Sequence, residues 1–177
     1  VTVIQMLWVN IIMDTLGSLA FAGEPALPDC MKLPPVGRDE HILTGSMVCQ
    51  ILLTGGYAVV MAMYFLLSER IRHWFGGGEL YHLTLFFALF IFMGIGIALC
   101  TRTPRLNPLA NIRKNAAFLV IMPMVALIQL VIIYFGGEVF RCVPLSAGDL
   151  GICALFALTV IPADTIRKAA VSFMKTQ

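Results

Sequence analysis

Charged residues are scarce in this sequence of 177 residues. Only 12% of the residues are Asp, Glu, Lys or Arg, whereas 59% are hydrophobic. Soluble globular proteins average about 25% charged and about 45–50% apolar residues, so a chain this apolar cannot cover its core with polar surface. The net charge of only +2, with no basic stripe that carries aromatic residues, argues against a nucleic-acid partner. The expected partner is a lipid bilayer.

The sequence also lacks a zinc motif and a signal peptide. Its five cysteines form neither a C-x-x-C pair nor a cluster with histidine, so we expect buried or loop thiols. The chain begins at Val1 inside an apolar run, with no basic segment before the run and no small-residue cleavage site after it. We therefore expect this chain to be a fragment of a longer protein.

Five apolar runs are candidates for membrane spans, because about 20 apolar residues form a helix that crosses the ~30 Å hydrocarbon core. Segments rich in glycine, proline or basic residues separate them. The predicted spans lie at about 1–22, 42–68, 83–100, 116–135 and 146–164. The sequence thus predicts an all-α membrane protein, with residues 1–177 forming a single transmembrane domain of about five helices.

The basic residues predict how this bundle is oriented, because connections on the cytoplasmic side are enriched in Lys and Arg. The connections on one side carry nine basic residues and those on the other side carry three, which are Arg70, Arg72 and Arg141. We therefore expect the first residue of the chain to lie outside the cell and the C-terminus to lie in the cytoplasm.

Asp14 is the only acid deep inside a predicted span. A charge near the bilayer centre costs several kcal/mol and usually serves an ion, a proton or a substrate. Asn10 lies four residues earlier, which places its amide on the same helix face. Carboxylate and amide oxygens are ligands that hard cations such as Ca²⁺, Mn²⁺ and Mg²⁺ accept. The spacing therefore predicts a metal site at Asn10 and Asp14.

This pair is too small to complete a calcium site, because Ca²⁺ takes 6–8 oxygen ligands. The other spans offer isolated amides, Gln50 and Gln129, which we expect to form interhelical hydrogen bonds. The missing ligands are expected from a segment outside this chain. Two other classes of function remain open from the residues alone. One is an ATP-independent channel or carrier in which Asp14 relays protons or ions, and the other is a structural membrane subunit.

The run Leu7-Trp8-Val9-Asn10-Ile11-Ile12-Met13-Asp14-Thr15 resembles the sixth transmembrane helix of P-type calcium ATPases, which shows L-W-V/I-N-x-x-x-D followed by E-P. The later element is present here as Glu24-Pro25. Met before the aspartate and Thr after it look most like the plasma-membrane type. The resemblance extends more weakly over the whole chain, whose five spans match helices six to ten, through Pro35-Val36-Gly37-Arg38, Asn107-Pro108-Leu109 and Phe135-Gly136-Gly137.

The resemblance implies a specific function. Such pumps move a cation by forming and hydrolysing an aspartyl phosphate, and Asn10 and Asp14 match the family's ligands on helix six. The third span has no acid where pumps of the sarcoplasmic type bind a second Ca²⁺, so the resemblance implies one transported ion. Transport of Mn²⁺ or another cation on the same scaffold is the alternative. The plasma membrane is the expected location.

The phosphorylation motif D-K-T-G-T and the T-G-E motif of these pumps are absent from the 177 residues, as are nucleotide-binding residues. ATP and Mg²⁺ would therefore act only through domains outside this chain. The expected partners are the earlier transmembrane helices and the cytoplasmic domains of the same pump. On its own this chain should be inactive.

Overall fold

The computed structural model describes residues 2–25 and 45–175, and it leaves out the side chains of Met13, Asp14, Ser46 and residues 172–175. Cys30, His41 and the Pro35–Arg38 motif lie outside this described part, as does the predicted start of the second span at residue 42. Within the described part, every regular element is a helix and no strand occurs.

Five helices are long and apolar enough to cross a membrane, which confirms the predicted fold class. They are Val3–Ala22, Met47–Leu67, Glu79–Thr101, Ala116–Phe135 and Ala147–Val171. Below they are called the first to fifth spans. Three shorter helices connect them: Glu69–Phe75, the 3₁₀ turn Ile112–Lys114, and Gly137–Phe140.

Side-chain caps fix where three of the spans begin. Thr2 and Gln5 form a reciprocal capping box before the first span. The Asn115 side chain accepts a hydrogen bond from the backbone N–H of Phe118 at 2.8 Å before the fourth span. Ser146 accepts one from the N–H of Asp149 at 3.1 Å before the fifth. Each cap satisfies a backbone donor that the helix itself leaves unpaired.

The fifth span is longer than the sequence predicts. Two consecutive α-helices, Ala147–Leu158 and Val160–Lys175, meet at Thr159, and together they extend past the predicted end at Asp164. The sequence-based boundary stopped at the first charged residue. In the structure Asp164 is buried and ion-paired with Arg167 and Lys168, so the helix continues through these charges.

The third span is the centre of the bundle, because both of its sides are covered. On one side, Leu85, Leu89 and Met93 belong to a cluster formed with the second and fifth spans and the helix Glu69–Phe75. On the other side, Phe87 and Ile91 belong to a cluster formed with the first and fourth spans. The first and second spans therefore lie on different sides of the third.

The first and second spans each contain one π-helical turn. In the first span the turn is Ile12–Gly17, and in the second it is Ile51–Gly55. A π-helical turn is wider than an α-helical turn and is frequently found at functional sites. The π-helical turn in the first span contains Asp14. The irregular backbone therefore lies in the segment for which the sequence predicts a metal site.

Candidate cation site in the first span

Asn10 and Asp14 lie on either side of the boundary between α-helix and π-helix. Asn10 is in the last turn of Val3–Ile11, and Asp14 is the third residue of Ile12–Gly17. The side chain of Asp14 is outside the described part of the structure. Thr15 donates a hydrogen bond from its hydroxyl to the carbonyl oxygen of Ile11. This bond connects the π-helical turn Ile12–Gly17, below called the wide turn, to the α-helix before it.

The first span has one buried face and one exposed face, and Asn10 is on the exposed one. The buried face includes Gln5, Val9, Ile12 and Ala20, at the three- and four-residue spacing of a helix face. The exposed face carries large apolar side chains, among them Val3, Leu7, Ile11 and Leu19. The amide of Asn10 therefore points away from the rest of the described bundle, on an otherwise apolar surface.

A polar contact fixes the N-terminal end of the first span; we call it the N-terminal clamp. The side chain of Gln5 is buried and donates from Nε2 to the carbonyl oxygen of Phe140 at 2.7 Å. The ring of Trp8 packs edge-on against Phe140, with centroids 6.2 Å apart. The same Gln5 amide lies 3.7 Å from the sulfur of Cys142. These contacts join the first span to the link between the fourth and fifth spans.

Three polar side chains at the other end form what we call the C-terminal clamp: Glu24, Arg102 and Asn115. Arg102 pairs with Glu24 through Nη1 and Oε1 at 2.7 Å. Asn115 donates from Nδ2 to Oε2 of Glu24 at 2.8 Å and to the carbonyl of Ala20 at 3.0 Å. The Arg102 guanidinium also lies 5.7 Å above the ring of Phe118. The first span is thus attached to the third and fourth spans.

The two clamps determine which way Asn10 faces. Because both ends of the span are hydrogen-bonded and its buried face is packed between them, the helix cannot rotate about its axis without breaking these contacts. The direction of Asn10 is therefore set by Gln5, Glu24 and Asn115 at a distance. Neither clamp was predicted from the sequence. The Thr2-x-x-Gln5 pattern is typical of a capping box and indicated only that Gln5 has a structural role.

A small cavity of about 60 Å³ lies behind the wide turn, between the first, third and fourth spans. Every side chain that lines it is apolar: Ile12, Phe21, Ile95, Ala98, Met122 and Val125, together with Gly17 and Gly94. The third span carries no acid between Leu80 and Thr101. The described residues that line this cavity therefore offer no carboxylate, and the number of transported ions stays a prediction.

The remaining polar groups inside the bundle are not gathered around Asn10. Gln129 is fully buried, but neither atom of its amide has a hydrogen-bond partner within the described residues. The interhelical hydrogen bond that the sequence predicts for Gln129 is therefore not found among the described residues. His82 is buried and stacks on Phe65 with centroids 5.4 Å apart. Among the side chains that the structure describes, which do not include that of Asp14, no three from His, Cys, Asp or Glu come together.

A buried ion-pair cluster joins three spans far from Asn10. One oxygen of Asp164 accepts from the Thr54 hydroxyl at 3.0 Å and from Nε of Arg167 at 2.8 Å. The other oxygen lies 3.0 Å from Nζ of Lys168, which also donates to the carbonyl of Cys100 at 2.7 Å. The cluster links the second, third and fifth spans. In the sequence this cluster is indicated by spacing, because Arg167 and Lys168 follow Asp164 by three and four residues.

Comparison with known proteins decides the family. The family described as "Cation transporting ATPase, C-terminus" matches residues 1–170. The chain belongs to this family. It is similar to "Calcium-transporting ATPase 10, plasma membrane-type" from Oryza sativa subsp. japonica, with 33% identity over 94% of this chain and 17% of the relative.

Two further relatives come from distant organisms. "Plasma membrane calcium-transporting ATPase 2" of Oreochromis mossambicus is 32% identical over 88% of this chain and 15% of its own length. "Calcium-transporting ATPase PAT1" of Dictyostelium discoideum is 32% identical over 77% of this chain and 13% of its own length. The chain thus spans less than one fifth of the length of these curated relatives.

Proposed function

We propose that this chain is the C-terminal membrane domain of an ATP-driven calcium pump of the plasma membrane, and that Asn10 and Asp14 bind the transported Ca²⁺. The observation that carries the proposal is the coincidence of three features in one span. A lone deep aspartate lies in a π-helical turn, and an asparagine just before it faces outward from the described bundle. The names of the relatives support calcium as the cargo.

The chemistry fits a hard cation. An Asp carboxylate gives one or two anionic oxygens and an Asn carbonyl gives one neutral oxygen, whereas Ca²⁺ takes 6–8 oxygens. The remaining oxygens come from transmembrane segments that precede this chain in the pump. Those segments pack against the exposed face that holds Asn10, so that its amide becomes buried between helices. Water is excluded there, which strengthens the attraction between the carboxylate and the cation.

We expect the wide turn to let the backbone around Asp14 adjust while the helix ends stay in place. A π-helical turn is a local irregularity between two α-helical segments, so it can tighten or widen with little change in the rest of the span. The N-terminal clamp holds the span at Gln5 and the C-terminal clamp holds it at Glu24. A change at Asp14 during the transport cycle therefore stays within Ile12–Gly17.

The orientation and the energy source complete the proposal. The excess of basic residues in one set of connections supports a cytoplasmic position for the C-terminal clamp and an external position for the N-terminal clamp. ATP and Mg²⁺ act at cytoplasmic domains of the same pump, because these 177 residues carry no D-K-T-G-T motif. The chain alone contributes part of the cation path and has no ATPase activity.

The test is calcium-dependent phosphorylation of the whole pump by labelled ATP. Asp14→Asn removes the anionic ligand, and we expect Ca²⁺ to stimulate no phosphoenzyme at any concentration. Asn10→Ala removes a neutral oxygen, and we expect a weaker apparent Ca²⁺ affinity. Asp149→Asn is the matched control, because Asp149 accepts a hydrogen bond from Tyr81 outside this site. Unchanged Ca²⁺ dependence in Asp14→Asn would refute the site.

A further inference from the structure

The third span ends without the usual means of stabilising a helix C-terminus. The last four carbonyl groups of a helix have no partner within the helix. A basic side chain in the last turn or a left-handed residue after it often satisfies them. The last turn of Glu79–Thr101 contains no basic residue, and the residue that follows, Arg102, has right-handed backbone angles. The end of this span therefore depends on a group from elsewhere in the chain.

Lys168 of the fifth span supplies that group. Its Nζ donates to the carbonyl oxygen of Cys100 at 2.7 Å, across 68 positions of sequence. The carbonyl end of a helix carries partial negative charge, which attracts a cation most strongly where water is scarce. Lys168 is only 8% exposed, so it caps the third span from a sheltered position.

The charges of the buried cluster explain why Lys168 is available for this contact. Arg167 binds one oxygen of Asp164 through both Nε and Nη2 at 2.8 Å, and this pair is already neutral. Lys168 lies 3.0 Å from the other oxygen. These three side chains therefore carry one positive charge in excess, and the carbonyl of Cys100 faces that charge.

The helix end that Lys168 holds is also the base of the C-terminal clamp. Arg102 follows Cys100 by two residues, and its buried guanidinium pairs with Glu24 of the first span at 2.7 Å. The same guanidinium donates to the carbonyl oxygen of Pro108 at 3.0 Å. A shift in the last turn of the third span would move the backbone of Arg102, and the side chain could not then keep both contacts.

We propose that Lys168 is a positioning residue of the cation site, which acts through the end of the third span and the C-terminal clamp. It does not touch the cation, and Glu24 lies about 15 Å along the first span from Asp14 at 1.5 Å per residue. By fixing the base of the clamp, Lys168 keeps the first span in the position and rotation that Asn10 and Asp14 require. This inference rests on the proposed calcium site.

The test measures the Ca²⁺ concentration that gives half-maximal phosphorylation of the whole pump by labelled ATP. Lys168→Met removes the ammonium and keeps an unbranched side chain, while Arg167 still balances Asp164. We expect this concentration to rise at least about fivefold, the lower end of the usual coupling between distant sites. The phosphoenzyme level at saturating Ca²⁺ should not change. Lys168→Arg keeps a cation that can reach the Cys100 carbonyl, so it should restore most of the affinity.

Tyr57→Phe is the control for general loosening of the fifth span. It removes the hydrogen bond that Tyr57 donates to the hydroxyl of Thr159 at 2.8 Å, which joins the second and fifth spans without involving the third. Thermal unfolding in detergent should show a loss of stability in Tyr57→Phe, while its calcium affinity stays unchanged. An equal loss of calcium affinity in this control would overturn the role assigned to Lys168.

A double-mutant cycle tests whether Lys168 acts through the clamp. Glu24→Gln weakens the pair with Arg102 and should itself lower the calcium affinity. If both residues act along one route, Lys168→Met should add little to Glu24→Gln. Losses that simply multiply, or an unchanged affinity in Lys168→Met alone, would overturn the inference. Failure of the calcium site is a separate result, because it appears as normal Ca²⁺ dependence in Asp14→Asn.

Discussion

The side-chain amide of Asn115 donates to the carbonyl oxygen of Ala20 at 3.0 Å, across 95 positions of sequence. The same Nδ2 donates to Glu24 at 2.8 Å, while Oδ1 accepts the N–H of Phe118. One asparagine therefore caps the fourth span and holds the end of the first. Asn115 therefore helps to fix the orientation of Asn10, although it lies outside the proposed cation site.

Asn115→Ala should destabilise the bundle strongly. The substitution removes a helix cap, which contributes about 0.5–2 kcal/mol, and it leaves Glu24 with one hydrogen bond fewer, at a cost of about 1–3 kcal/mol. We expect a total loss of about 1.5–5 kcal/mol in the free energy of unfolding, measured in detergent by thermal or denaturant unfolding. Asn107→Ala is the control and should cost clearly less, because its exposed side chain accepts only the N–H of Leu109 at 2.9 Å. Equal stabilities would contradict this role of Asn115.

Gly23→Ala should disturb the same clamp by overcrowding. A Cβ atom at this position would lie 2.7 Å from Oδ1 of Asn115 and 2.9 Å from Cβ of Ala117. Asn115 cannot move away without losing its own hydrogen bonds, so we expect a loss of about 1–3 kcal/mol. In the pump, the calcium affinity should fall as well, because the first span is displaced.

The matched control for Gly23→Ala is Gly151→Ala in the fifth span, where nothing lies within 4 Å of an added Cβ. Alanine is the better helix former by about 1 kcal/mol, so this variant should be neutral or slightly stabilised. If both alanine variants behaved alike in unfolding experiments, close packing at Gly23 would not be the cause.

The helices were predictable because lipid imposes a simple rule on sequence. Backbone groups inside a membrane must be hydrogen-bonded within the protein, and a single apolar run of about 20 residues does this on its own as a helix. The same rule identified Asp14, because it is the only charged residue in an otherwise apolar predicted span. Asn10 was found by its spacing and by the resemblance of the surrounding run to pump helices.

The π-helical turns and the clamps could not be predicted in this way. Nothing in the sequence of Ile12–Gly17 distinguishes a π-helical turn from an α-helical one. The C-terminal clamp joins Glu24 to Arg102 and Asn115, and no local pattern indicates contacts between segments so far apart. For Gln129 the sequence predicted a hydrogen bond between helices, but neither atom of its amide has a partner among the described residues.

The thiol of Cys142 should react slowly with alkylating reagents. Burial raises its pKa above the usual value, while the hydrogen bond from Gln5 acts in the opposite direction and lowers it. The thiolate is the reactive form, so its alkylation rate should still be increasing at pH values where an ordinary thiol is fully ionised. Mass spectrometry of iodoacetamide-treated protein across a pH series measures this rate.

The comparison is a short unstructured peptide with one cysteine, whose thiol is fully exposed to water and should be modified faster than Cys142 at every pH. Gln5→Ala removes the hydrogen bond to the sulfur and opens the N-terminal clamp, so access to Cys142 should increase. A rate for Cys142 that reaches its plateau at the same pH as that of an ordinary exposed thiol, or below it, would contradict the raised pKa.

Asp164→Asn should be the most destabilising single change in the fifth span. The carboxylate is buried and balances Arg167 and Lys168, and removal of one partner from a buried ion pair costs about 3–5 kcal/mol. We expect this loss in unfolding experiments in detergent, together with faster proteolysis near residue 164. Asp149→Asn, which loses only a hydrogen bond from a tyrosine, should cost far less.

A triple variant separates the charge of this cluster from its shape. In Asp164→Leu/Arg167→Met/Lys168→Met no charge is left unbalanced, and apolar side chains of similar size fill the same space. Replacement of a whole buried ion cluster in this way is often neutral or stabilising by about 1–4 kcal/mol, so the triple variant should be more stable than Asp164→Asn alone. If it were less stable, the hydrogen bonds to Thr54 and to the Cys100 carbonyl would be the main contribution of the cluster, rather than charge balance.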